Sequence, residues 1–140
     1  MAGRISLALL LSALAALPAR AADEPTAFAC TFASGTAQVY EKGQFVPEKA
    51  APLSFGIAAI NTQAQTAELK TGQGTGTLRV VRAVNAMHFL EVATEGVLHI
   101  TTIFDKDDAK GAYPAVHSRH FGLFGQPIVT QYHGFCAAKE

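Results

Sequence analysis

The run Val116-His117-Ser118-Arg119-His120 holds two imidazoles, a hydroxyl and a guanidinium side by side. In an extended strand His117 and Arg119 project to one side and Ser118 and His120 to the other. A metal or catalytic site using both histidines therefore requires a bulge or turn there. Otherwise the cluster reads as a polar binding patch or as structural histidines satisfied at a strand end. His88, His99 and His133 fall on separate candidate strands, without the close ligand pair that zinc sites usually show. No metal or cofactor is expected. Glu91, in Phe89-Leu90-Glu91-Val92, shares a strand face with Phe89. If that face is inward, the carboxylate needs a partner, for which Arg79, Arg82 and Arg119 are candidates; the alternative is an exposed glutamate on a half-wet strand.

Other chemistry is poorly supported. Asp105-Lys106-Asp107-Asp108-Ala109-Lys110-Gly111 alternates carboxylates but lacks calcium-loop spacing and a closing glutamate, so it reads as a solvated hairpin loop. Gly72, Gly74 and Gly76 precede a strand-like Leu78-Arg79-Val80-Val81, whereas phosphate-cradling loops lead into a helix. Ser34 and Ser118 lack the G-x-S-x-G elbow.

The elements that position these residues are short, alternating and rich in Thr, Val, Ile and Phe, with turn residues between them. The pattern predicts strands at Phe28–Phe32, Ala37–Glu41, Leu53–Asn61, Thr66–Lys70, Leu78–Val84, Met87–Ala93, Val97–Phe104, Ala115–His120 and Ile128–Cys136. Only Ala50–Ala59 is ambiguous with helix. Such a series predicts an all-β fold, a small antiparallel meander closing into an eight- or nine-stranded barrel, with a β-sandwich as the alternative. Along Val97–Phe104, the face carrying Leu98, Ile100, Thr102 and Phe104 is the expected buried one, and Val97, His99, Thr101 and Ile103 the wetter one.

The chain opens with Arg4, an apolar run from Ile5 to Leu17, and Ala19-Arg20-Ala21, the form of an export signal cleaved after Ala21. The apolar run is well short of the roughly 20 residues that span a bilayer as a helix. Residues 1–21 are thus an expected signal peptide and 22–140 a single β-barrel domain in the periplasm or secreted, without a membrane span. An oxidising compartment predicts that Cys30 and Cys136 are paired, tying the terminal strands. Without its signal the chain is near neutral with scattered charges, which gives no electrostatic reason to bind nucleic acid.

Four segments, His88-Phe89-Leu90-Glu91-Val92, Thr101-Thr102-Ile103-Phe104, Ala115-Val116-His117-Ser118-Arg119-His120 and Gln131-Tyr132-His133-Gly134-Phe135-Cys136, resemble a family of small exported alphaproteobacterial proteins of unassigned function. The exported meander with a terminal disulfide is also similar to lipocalin-type barrels, although the lipocalin G-x-W is absent and the chain has no tryptophan. Phe28-Ala29-Cys30-Thr31-Phe32 through Val39-Tyr40 is similar to periplasmic lysozyme inhibitors, without their Ser-Gly-x-x-Tyr loop.

The expected function is a non-catalytic binding module for a small apolar or amphipathic ligand, with His117, Arg119, Glu91 and Arg82 as candidate contacts. The alternative is an envelope interaction or inhibitor module using an apolar loop with Phe121, Leu123 and Phe124. An enzyme built on His117–His120 ranks third.

Overall fold

The computed structural model describes residues 24–94, 96–122 and 125–140; the predicted signal peptide lies outside them. Among the described residues there are ten strands: β1 (Phe28–Phe32), β2 (Gly35–Glu41), β3 (Gln44–Ala50), β4 (Leu53–Asn61), β5 (Thr66–Thr71), β6 (Gly74–Arg82), β7 (Ala86–Thr94), β8 (Val97–Phe104), β9 (Tyr113–Phe121) and β10 (Ile128–Ala138). From β4 to β10 each strand pairs antiparallel with the next, and β1 pairs with both β4 and β10. Eight strands thereby close into a barrel, as the alternation predicts; the sandwich is not formed. No helix among the described residues is long and apolar enough to cross a membrane.

The remaining two strands grow out of the seam. Register is continuous from Phe28 opposite Ile57 to Glu41 opposite Gln44, so β1–β2 and β3–β4 are the two sides of one long hairpin. It turns at Lys42-Gly43, both at positive φ (49° and 85°), the geometry that matches strand twist in two-residue turns. The proximal half closes the barrel, while the distal half runs on past the seam as β2–β3. The predicted meander differs here, because β1 pairs with β4 instead of with β2. Strand β3 was not expected, since Pro47 interrupts its pattern. Proline is tolerated because β3 is an edge strand, paired only with β2. On this ribbon Tyr40 and Phe45 stay exposed and meet edge to face at 5.0 Å.

A bulge marks the departure. Thr31 is opposite Phe135 and Gly35 opposite Tyr132, so Phe32, Ala33 and Ser34 face only His133 and Gly134. This drives the Phe32 backbone and ring onto Gly134, where a Cβ would lie 2.3 Å from the Thr31 carbonyl oxygen and 2.7 Å from the Phe32 ring. Glycine at 134 is a requirement of this close approach.

The interior is packed by Phe28, Phe32, Phe55, Ile57, Leu78, Val80, Met87, Phe89, Ile103 and Tyr132. Cys30 and Cys136 stand directly opposite each other on β1 and β10 and are bonded there, 1% exposed, with Cα atoms 4.0 Å apart. The predicted tie between terminal strands is present. In β8 the expected faces are reversed: Val97, Thr101 and Ile103 are buried and Phe104 is exposed. Polarity misdirects this assignment, because His99 and Thr101 sit on the inward face as members of an internal polar group.

Candidate functional site

The barrel is filled over most of its length and hollow at one end. A cavity of about 590 Å³ opens there, lined by the first residues of β4, the last of β5, the Gly72–Thr75 turn, and Glu91, His99, His117 and Arg119. The glycine run supplies this rim. It forms the β5–β6 hairpin turn, braced by the Thr71 hydroxyl, 3.1 Å from the Gly74 carbonyl oxygen. Gly76 lies just inside, where an added Cβ would be 3.0 Å from a Glu91 carboxylate oxygen. Its missing side chain makes room for that group.

Glu91 is inward, as its pairing with the Phe89 face suggests, but its partner is a histidine. His99 Nδ1 lies 2.8 Å from Glu91 Oε2. An ionised carboxylate only accepts, so the ring proton belongs on Nδ1. The contact depends on a register shift in the β7–β8 ladder: Thr94 is opposite Val97, but Val92 is opposite Leu98, which carries Glu91 to the position across from His99. The expected arginines are placed elsewhere. Arg79 is exposed near Gln65, and Arg119 lies one strand beyond His99, its cross-strand neighbour.

His117 forms the floor of the cavity. It is 5% exposed, its ring centroid is 5.0 Å from that of Phe55 and 6.0 Å from those of Phe32 and Tyr132, and its Nδ1 is 2.8 Å from the Thr101 hydroxyl. Burial, then the nearby His99 and Arg119, lower its pKa to about 3, so the imidazole is neutral. Arg119 projects into the same space with its guanidinium 5.8 Å from the centre of the Phe121 ring. Arg119 Nε and His99 Nε2 are both shut off from water and have no hydrogen-bond partner among the described residues.

Of the residues singled out from sequence, then, His117, Arg119 and Glu91 converge. His120 does not join them: with no bulge in β9 it faces outward and is exposed, as strand alternation requires. Phe121 is a correction to the exposed-loop reading. It ends β9, is half-buried, and packs on His99 and Arg119; Leu123 and Phe124 lie outside the described residues.

Arg82 is a correction as well. It sits at the other end of the barrel, its Nε 2.5 Å from Glu24 and its Nη1 2.6 Å and 2.9 Å from the carbonyl oxygens of Ala83 and Ala86. It holds the β6–β7 turn and the start of the domain. Arg82→Ala is therefore expected to cost only about 1 kcal/mol in urea unfolding, the scale of a surface ion pair with one or two hydrogen bonds.

The remaining candidates are absorbed by local structure. The Asp107 carboxylate accepts from the backbone N–H groups of Ala109 and Lys110, at 3.0 and 3.2 Å, and shapes the β8–β9 turn. No cluster of three potential metal ligands occurs among the described residues. His88 is spent on Thr102 at 2.9 Å across the strand pair. The residues that sequence reasoning missed are His99 and Thr101, whose only advance signal was their alternation with Val97 and Ile103.

The arrangement is a pocket with an aromatic floor, one cation unpaired among the described residues and one engaged carboxylate. No protein-family model, curated protein or solved structure matches the chain. Its function is therefore argued from this pocket alone.

Proposed function

We propose that the chain is an exported, non-catalytic binding protein that holds one small amphipathic molecule in the open end of its barrel. The observation that carries this reading is the cavity itself. Its volume lies in the range of small-molecule sites, and it combines apolar wall, from Leu53, Phe55 and Leu69, with a few convergent polar groups. A closed barrel of eight strands is just wide enough to be packed solid by side chains or to hold one small ligand, and here both outcomes occur in one barrel. The export signal read at residues 1–21 and the Cys30–Cys136 bridge agree with a protein that works outside the cytoplasm.

Binding is favoured over catalysis by what the cavity can reach. Two hydroxyl–imidazole pairs are described above, Thr101 with His117 and Thr102 with His88, and neither threonine lines the cavity. A substrate in the pocket would meet neither of these hydroxyls, and the His117 ring it would meet does not readily take a proton.

The test is a cavity-filling variant. Leu69 lies on the wall, half-buried, and Leu69→Trp inserts an indole into the hollow. In a thermal-shift screen of lipids, fatty acids and phenolics, the wild type is expected to rise by several degrees with at least one class. Leu69→Trp, folded by circular dichroism, should show no rise with that class. An equal rise in both proteins would place binding elsewhere, and a wild type that responds to nothing would end the reading.

A further inference from the structure

We infer that the molecule held in this cavity carries a carboxylate-type anionic head that pairs with the guanidinium of Arg119, its apolar body lying along Phe55 and Leu69. This rests on the proposed binding function and deepens it. The cavity is lined by one carboxylate, Glu91, and one guanidinium, Arg119; its other lining residues are apolar or uncharged apart from the two histidines. The carboxylate is already engaged by His99. Arg119 makes no ion pair and no hydrogen bond among the described residues, and its Nε is buried and unpartnered.

A half-buried guanidinium with no counter-charge in contact among the described residues is costly, and stacking on Phe121 offsets only part of that cost. His117 adds no positive charge beside it, because burial keeps that ring neutral. Arg119 is therefore the lining charge left without a partner of opposite sign among the described residues. A ligand amine would meet that charge unfavourably, and a neutral head would leave Arg119 unpaired. A doubly charged phosphate would bring a second negative charge into a cavity that already holds the Glu91 carboxylate. A carboxylate matches both the single charge and the planar fork of the guanidinium.

The class can be tested with probes that share one body and differ only at the head: decanoate, decanol and decylamine, and as a second body 4-phenylbutanoate and its alcohol and amine. Affinities are read by calorimetry on wild type, Arg119→Met, Arg119→Lys and Leu69→Trp. With at least one body, the wild type should prefer the carboxylate over the alcohol by roughly 10- to 100-fold, the scale of one charge-assisted contact, with the amine weakest. Arg119→Met should remove that preference, the carboxylate losing far more affinity than the alcohol, and Arg119→Lys should restore part of it.

If the alcohol binds as tightly as the carboxylate, and Leu69→Trp abolishes both, the anionic class is overturned while the pocket stands. Equal losses for both heads in Arg119→Met would reduce Arg119 to a structural role and likewise overturn the proposal. Failure of every probe to bind the wild type would sink both the head-group assignment and the binding function.

Discussion

Replacing Cys30 and Cys136 together by alanine is expected to lower the unfolding free energy by roughly 4 kcal/mol, the chain-entropy value for a loop of about a hundred residues. The bridge spans 106 residues and so constrains nearly the whole described chain in its unfolded state. It also sits at the weakest point of the closure. β1 and β10 meet over only four register pairs, Phe28–Thr31 against Phe135–Ala138, before β2 takes over the edge of β10. Both sulfurs are buried beside Phe28 and Phe32 in the core, so truncation adds a packing loss to the entropic one. Against a typical total of about 5–15 kcal/mol, this takes away a large share of stability. Urea unfolding of the double variant beside the wild type measures it. A loss below about 1 kcal/mol would mean that the seam holds without its covalent link.

Acid should weaken the fold through His117, and the sign follows from its depressed pKa. The folded state keeps this ring neutral down to about pH 3, while the unfolded chain protonates it near the ordinary 6.5. Below the unfolded value the unfolded state binds more protons, so its share of stability is intact above about pH 6.5. It falls by roughly 1.4 kcal/mol per unit as pH drops toward 3. Between neutrality and about pH 4.5 the contribution amounts to some 2–3 kcal/mol. Other groups titrate in the same range, so the informative quantity is a difference. His117→Asn keeps a polar atom near the Thr101 hydroxyl but does not titrate; the wild type should lose that much more stability than this variant across the window. Parallel pH profiles for the two proteins would show that His117 accepts a proton in the folded state.

The barrel was legible in the sequence because its signals are local and redundant. Alternation in Phe28–Phe32 and Ile128–Cys136, turn residues between strands, and two cysteines near the ends all point the same way. What was not legible depends on register. Whether Glu91 meets Ile100 or His99 is decided by one residue of slippage between Val92 and Thr94, which no composition or spacing announces. The buried face of β8 was misread for a related reason. A hydrophobic-inward rule fails where the interior is deliberately polar, and His99 and Thr101 occupy that interior. Strand β3 was hidden by Pro47 and by the exposure of most of its side chains, which removes the alternation that burial imposes elsewhere. Arg82 and Arg119 look alike in sequence, each flanked by strand residues. Only the fold shows that one clamps a turn at one end while the other enters the cavity at the opposite end.

The most direct measurement of the central claim is mass spectrometry of whatever accompanies the protein when it is purified natively from a producing cell, from periplasm or medium, in parallel with Leu69→Trp. One small molecule per wild-type chain is expected, acidic at one end and apolar over the rest, and none on the cavity-filled variant. A wild-type protein that arrives empty, or a molecule that stays bound when the cavity is filled, would contradict it.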